Sequence, residues 1–352
     1  MSKRWLRLLA IFFAFALIAS ACGDDDDDTT DAGAADTSDD AGDDAGDDAG
    51  DDAGDDAGTA DGVLEIAAGT TIDTAECPEE WEDGGGITDD EIRIGWTGPQ
   101  SGQLAAFGAI GEGMGFYFDY ITETDPIDGK QLVRVSRDDA YESGRAGANV
   151  EEMLETENNF AFAHFIGTPI NFAVRPITDE ACVPQIFNSS GFPFWGDPAN
   201  FPWTVGNILN YVTETQIWCS AIVDEFGQGA TVAALIMDND FGKTYQNELQ
   251  NCAANGDIEL VAEANHDPAA PDVTNEMTTL IDSGADVFIA GTTAAFCPQS
   301  VGAIAASDYR PRFYMSYTCN NLSSFFTPVL DAAGALAAEG AGVQMANSNK
   351  VC

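Results

Sequence analysis

Residues able to perform acid–base or nucleophilic chemistry are sparse in this chain of 352 residues. There are two histidines, His164 inside an apolar run and His266 in a loop with Asp267. Neither has a nucleophile at motif spacing, although triads assemble in space rather than in sequence. His164 reads as a half-buried strand residue. Of the eight cysteines, none stands in the close Cys-x-x-Cys spacing of zinc sites. Gly84-Gly85-Gly86 precedes a strand instead of following one, which makes it a linker and not a phosphate loop. The chain therefore reads as a non-enzyme without cofactor or metal. The chemistry that remains is non-covalent capture by hydroxyls, amides, phenyl rings and free backbone N–H groups.

The stretch that best suits such capture spans residues 91–108. Ile92, Ile94 and Trp96 alternate at period two, which predicts a strand. Gly98, Pro99 and Gly102 then break the strand and allow a tight turn. Residues 105–124 carry apolar residues at helical spacing. A turn between a first parallel strand and a helix N-terminus presents free backbone N–H groups, and open α/β sheets bind small ligands there.

Charge and the amino terminus bound the compartment. The chain holds 60 acids against 13 bases, for a net charge of −47. Residues 23–62 hold 18 acids and no base, which leaves a net −32 from Val63 onward. Such a surface repels nucleic acid and anionic lipid headgroups. Residues 1–22 hold Lys3, Arg4 and Arg7, then an apolar run of 11 residues at 8–18, too short to span a membrane as a folded helix. Ala19-Ser20-Ala21-Cys22 follows and resembles a bacterial lipobox. The usual Leu three places before the cysteine is Ala19 here, with Leu17 and Ile18 just upstream. Cys22 is thus the expected lipidation site, with acyl chains holding the protein on the outer face of the cytoplasmic membrane. Residues 23–86 read as a disordered Asp/Ala/Gly spacer. They include five consecutive aspartates from Asp24 and four Asp-Asp-Ala-Gly repeats from Asp43. As a flexible coil, 40 such residues span about 35 Å, and self-repulsion lengthens that.

Beyond the spacer, strand-like and helix-like runs alternate, which predicts parallel sheets covered by helices on both faces. Strands are expected at 91–97, 132–138, 160–166, 184–187 and 201–205. A restart at 231–237 is followed by strands at 259–264, 287–290 and 312–315, with a further helix at 322–330. The fold class is α/β with two similar lobes, 87–206 and 207–338.

From Ile87 onward the chain resembles the substrate-binding lipoproteins of branched-chain amino-acid type ABC importers, a type I periplasmic-binding-protein family. The resemblance is carried by Ile92-Arg93-Ile94-Gly95, Thr97-Gly98-Pro99-Gln100-Ser101-Gly102 and Ala106-Phe107-Gly108. Gly129-Lys130, Asp138-Asp139, Ile166-Gly167 with Pro176, Val183-Pro184-Gln185-Ile186 and Asp240-Phe241-Gly242 extend it. No single piece is specific; their order over some 250 residues, behind a lipobox, is. It implies a monomer that traps a small molecule between two hinged Rossmann-like lobes and passes it to permease and ATPase subunits. A sensory receptor of the same fold, or a non-binding remnant, is the alternative reading.

By position, the resemblance places ligand contacts at Gln100, Ser101, Phe107, Thr168, Asn171, Ser189, Ser190 and Gly191 in the first lobe. In the second it places Phe241, Thr292, Thr293, Phe296, Tyr317 and Thr318. Two departures matter. Amino-acid binders of the family have a Thr where Gly191 stands, and an acid near Thr318 and Cys319 to meet the ammonium. Losing the partner of a buried charge costs several kcal/mol, so an amide or an aromatic acid becomes at least as good a candidate as a zwitterion.

The seven cysteines other than Cys22 suit an oxidising compartment. The expected pairs are Cys219 with Cys252 on two helices of the second lobe, Cys297 with Cys319 near its binding edge, and Cys77 with Cys182. Cys352 is left over. The family's chains continue past the point where this one stops, so residues 339–352 read as a truncated return crossing toward an incomplete first lobe.

Overall fold

The structure, a computed structural model, describes residues 62–67, 70–82 and 84–345. The signal segment with Cys22, the aspartate repeats and Cys352 lie outside the described residues.

Two short strands come first, β1 (Val63–Ala67) and β2 (Thr70–Asp73), paired antiparallel. This corrects the expectation of a disordered spacer to residue 86. After Gly62 the Asp/Ala/Gly repeat gives way to Val63, Leu64, Ile66 and Ile72, and Ile72 is buried. Two further contacts fix the segment to the main body. Cys77 is bonded to Cys182, and the Trp81 indole N–H donates to the Cys182 carbonyl at 2.9 Å.

The first lobe alternates strand and helix: β3 (Glu91–Gly98), α1 (Gly108–Thr124), β4 (Gln131–Asp138), α2 (Ser143–Glu157), β5 (Ala161–Ala163), α3 (Thr168–Glu180), β6 (Gln185–Asn188) and β7 (Thr204–Gly206). Its five strands are parallel in the order β4-β3-β5-β6-β7. β5 is shorter than the apolar run 160–166 predicts. His164 sits at φ 58°, which interrupts the strand, and pairing resumes only at a single Ile166–Ser189 bridge.

The second lobe repeats the scheme: α4 (Tyr211–Phe226), β8 (Ala230–Met237), α5 (Asp240–Ala254), β9 (Ile258–His266), α6 (Thr274–Asp282), β10 (Val287–Gly291), α7 (Phe296–Ala305), β11 (Arg312–Met315), α8 (Leu330–Ala338) and β12 (Val343–Gln344). The order is β12-β11-β10-β8-β9, again parallel. β8 is buried along almost its whole length, as a central parallel strand covered on both faces must be. β9 at the edge alternates exposed and half-buried residues between its buried ends, Ile258 and His266. Within the stretch read as a return crossing, 339–352, β12 keeps the chain in the second lobe as far as Gln344, where Val343 and Gln344 extend its sheet beside Phe313 and Tyr314, and residues 346–352 lie outside the described residues. The helix expected at 322–330 is instead a π turn (Leu322–Phe326) and a 3-10 turn (Thr327–Val329) leading into α8. Pro328 within that stretch has no N–H for an α-helical ladder.

Local signals set the helix starts near the lobe junction. Asn210 caps α4 by accepting from Val212 N–H, and Asn239 caps α5 by accepting from Gly242 N–H. Each lobe has its own apolar core, and every fully buried Leu, Ile, Val or Phe contributes about 1.5–3 kcal/mol. One first-lobe residue, Leu104, belongs to the core cluster of the second.

The structure also bonds Cys219 to Cys252, between α4 and α5, and Cys297 to Cys319. Cys77–Cys182 closes the longest loop, a sequence separation of 105 residues. Replacing both of these cysteines by serine is expected to lower unfolding free energy by about 2–4 kcal/mol. Urea titration of the full chain and the double variant measures this, and coincident curves would show the bridge to be absent or idle.

Candidate ligand-binding site

Loops that follow the strands of both sheets meet around a cavity of about 210 Å³. The first lobe contributes Leu104, Phe107 and Ile110 after β3, Tyr141 after β4, Ile166 and Gly167 after β5, and Ser189 after β6. The crossing segment adds Asn207, Ile208 and Tyr211. The second lobe adds Phe241 after β8, Thr293 after β10, and Tyr317, Thr318 and Asn320 after β11. Carboxyl ends of parallel strands are where such sheets hold ligands, because helix N-termini and irregular loops gather there. A wider groove of about 700 Å³ lies at the other end of the second sheet. It is open, belongs to one lobe, and carries the Arg312–Glu225 ion pair on its wall.

Six of the residues expected from the sequence line this cavity: Phe107, Ser189, Phe241, Thr293, Tyr317 and Thr318. The others do not, and their polar groups are already engaged. Gln100 N–H and the Ser101 hydroxyl both donate to Asp138, at 2.8 and 2.7 Å. Burial alone would raise the Asp138 carboxyl, but those donors, Ala140 N–H and the Arg145 guanidinium outweigh it and hold the group at about 2. Thr168 and Ser190 pair with each other, hydroxyl to hydroxyl, at 2.8 Å. The Asn171 amide donates to the Phe165 and Gly167 carbonyls and accepts from Gln185. The Thr292 hydroxyl pairs with His266 Nε2 at 2.7 Å, and Phe296 packs on the same imidazole with ring centroids 4.2 Å apart. Burial lowers the proton affinity of His266, which therefore serves as a neutral core histidine.

Gly191 has a steric reason. A Cβ there would stand 2.2 Å from the Leu209 carbonyl oxygen and 2.7 Å from the Tyr211 ring. Tyr211 N–H donates to the Gly191 carbonyl at 2.9 Å, so the crossing chain lies directly on this glycine. The space a threonine side chain would need is filled by Tyr211. Its ring is packed edge-on to Phe241, with centroids 5.1 Å apart, and lies 6.1 Å from the ring of Tyr317.

Sequence reasoning missed Tyr141 and Tyr211, the two tyrosines that close the cavity at the lobe junction. Tyr141 lies over Gly167, where a Cβ would meet its ring at 2.4 Å, and it packs against the cores of both lobes. Its φ of 65° is one that L residues seldom adopt. The signal for Tyr211 was its place one residue past an Asn cap. No local signal marks Tyr141.

An acid does stand beside the Tyr317–Thr318 loop, but it comes from α4. Glu214 is fully buried and accepts from Tyr245 Oη at 2.6 Å and from Tyr317 N–H at 2.9 Å. Burial pushes its carboxyl from 4.5 up to about 8, against the pull of those two hydrogen bonds. Asp139, held by the Thr97 hydroxyl and Tyr141 N–H, is raised by burial to about 6. Neither carboxyl lines the cavity.

Two parallel-sheet lobes enclosing a cavity at their strand ends form the type I periplasmic-binding-protein fold. Residues 91–349 match the family of periplasmic binding proteins, and the chain belongs to that family. Similar solved structures include a substrate-binding periplasmic protein from Ralstonia solanacearum, 20% identical, TM-score 0.60, covering 65% of this chain and 64% of that one. An ABC-transporter solute-binding protein from R. palustris in complex with 4-hydroxybenzoate is 21% identical, TM-score 0.56, over 65% and 62%. A branched-chain amino acid ABC transporter protein from Thermus thermophilus with bound valine is 18% identical, TM-score 0.63, over 70% and 64%. The chain thus spans less than two thirds of these proteins. No curated protein sequence matches it. Among the described residues, no cluster of histidine, cysteine or acidic side chains is placed to hold a metal, and no helix is long and apolar enough to cross a membrane.

Glu214 gives a prediction with a definite sign. Its proton affinity is higher folded than unfolded, so its contribution is complete below about pH 4.5 and is lost as pH rises through about 8. Glu214→Gln removes the titrating group: its carbonyl oxygen can still accept from Tyr317 N–H, while its NH2 donates to Tyr245 Oη, whose proton turns to Ser316. Relative to this variant, the parent should lose stability by up to about 1.4 kcal/mol per pH unit across that window. Urea midpoints from pH 5 to 9 test this, and parallel profiles would contradict it.

Proposed function

We propose that the chain is an extracytoplasmic receptor lipoprotein that captures a small organic molecule between its lobes and delivers it to the permease and ATPase subunits of an ABC importer. The observation that carries this reading is the cavity lined from both lobes at the carboxyl ends of both sheets. Family membership supports it, as do the two relatives of this fold described with 4-hydroxybenzoate and with valine. Capture between lobes needs no reacting group. The residues on the cavity wall are those of a binding surface, apolar rings with a few hydroxyls and amides. The site residues proposed are Phe107, Ser189, Phe241, Thr293, Tyr317 and Thr318, together with Tyr141 and Tyr211. Acylation of Cys22 would tether the receptor, and the acidic segment after it would hold the lobes off the membrane.

Thermal melts of the full chain, scanned against pools of amino acids, amides and small organic acids, test the capture step. A ligand that binds only the folded state stabilises it by about 2.7 kcal/mol at a hundredfold excess over its Kd. A saturable rise of the melting temperature with one pool is the expected result, and indifference to every pool would remove the receptor reading. For the anchor, Cys22→Ser should abolish incorporation of labelled palmitate and release the chain from the membrane fraction. Unchanged labelling would remove Cys22 as the lipid site.

A further inference from the structure

Resting on that receptor reading, we infer that the cavity selects an uncharged amphiphilic molecule, an aromatic or branched aliphatic body bearing a carboxamide or hydroxyl. The argument is electrostatic. No charged side chain lines the cavity. A carboxylate entering it would leave water and meet no cation on the wall, since the cations nearest in sequence are paired outside it: Arg137 with Glu152 and Glu157, Arg145 with Asp138, and Lys243 with Asp238.

Helices α1 and α3 begin at the wall residues Phe107 and Gly167 with no side-chain cap and no acid in the first turn, and their fractional positive charge suits the oxygen of an amide or hydroxyl without matching a full carboxylate. The ends of α4 and α5 offer less. Asn210 and Asn239 already cap α4 and α5, and Tyr211 N–H and Gly167 N–H are given to the Gly191 and Ser189 carbonyls. Asp240 stands in the first turn of α5, where an acid offsets the positive end of the helix dipole.

An ammonium fares no better. The buried carboxyls behind the wall, Glu214 and Asp139, are bound to this chain's own tyrosines, threonine and backbone. The place where a head-group hydroxyl would project is occupied by the Tyr211 ring over Gly191.

The wall is equipped for a neutral polar group instead. Thr293 is 5% exposed, and its hydroxyl has no hydrogen-bond partner within the protein. A buried hydroxyl without a partner carries a desolvation cost that a ligand amide or hydroxyl would relieve. Ser189 and Asn320 add groups that both donate and accept, and Asn207, whose NH2 donates to the Phe187 and Asn188 carbonyls, adds an acceptor oxygen. Leu104, Phe107, Ile110, Ile166 and Phe241 form the apolar remainder. A volume of about 210 Å³ corresponds to about seven waters at roughly 30 Å³ each, room for one ring or branched chain with a small substituent.

Calorimetric titration of the full chain at pH 7 with two isosteric sets decides the matter. The aromatic set is benzamide, benzyl alcohol, benzoate and benzylamine; the aliphatic set is isovaleramide, isovalerate and leucine. The neutral members of at least one set are expected to bind about tenfold or more tighter than their charged isosteres, because an unpaired buried charge is penalised far more than a paired amide. Thr293→Val should weaken the best neutral ligand by about tenfold while leaving the ligand-free melting temperature within a few degrees. A charged member binding as tightly as its neutral isostere overturns this inference and leaves the receptor reading standing. Unchanged affinity in Thr293→Val overturns the role given to that hydroxyl. Binding by no member of either set, together with flat melts against every pool, overturns the receptor reading and this inference together.

Discussion

The contact between Tyr211 and Gly191 is the constraint on which the rest of the site depends. Tyr211 is the first residue of α4, where the chain enters the second lobe, and its backbone N–H is bonded to a carbonyl of the first. Only a glycine permits that approach, since any side chain would collide with the Leu209 carbonyl and the tyrosine ring. Once Tyr211 is placed, its ring sets the positions of Phe241, Tyr245 and Tyr317 around it. One backbone hydrogen bond thereby fixes the junction of the lobes and one wall of the cavity.

The first lobe answers with residues that reach into the second. Leu104 is buried in the second lobe's core, Phe107 meets Phe325 with ring centroids 5.6 Å apart, and Tyr141 packs on both cores. These contacts bury apolar surface across the cleft and leave only a small volume open. They also explain why the loop after β3 delivers hydrophobes to the cavity and not its polar residues. Gln100 and Ser101 turn to Asp138, whose ionised carboxylate is the stronger acceptor.

A chain of net charge −47 excludes charge from this site by two devices. Acids near the strand ends are either partly exposed and ionised, like Asp138, or buried and raised toward neutrality, like Asp139 and Glu214. Desolvation dominates in the second group because burial there outweighs two good hydrogen bonds to each carboxyl. The interior around the cavity is consequently far less anionic than the surface of the molecule.

The alternation of apolar strands with amphipathic helices, the restart at β8 and the capping asparagines were all written locally. A parallel α/β fold in two lobes was therefore legible before any coordinates. Several residues that line the cavity, Ser189, Phe241, Thr293 and Tyr317, were named in advance from the family resemblance, which places contacts in the loops after the strands. What could not be read was how each polar side chain is spent. Thr168, Ser190, Asn171 and Thr292 have the chemistry of ligand contacts, but their partners lie in distant parts of the sequence, and only packing brings those together. Tyr141 and Glu214 were invisible for the converse reason. The left-handed turn of one and the deep burial of the other arise where separate elements meet. The sequence by itself determined which elements form and which loops gather at the strand ends, because those follow from short-range periodicity and turn chemistry. Only the tertiary structure decided which groups face the cavity, because that depends on which hydrogen bonds and charges the folded chain has already satisfied for itself.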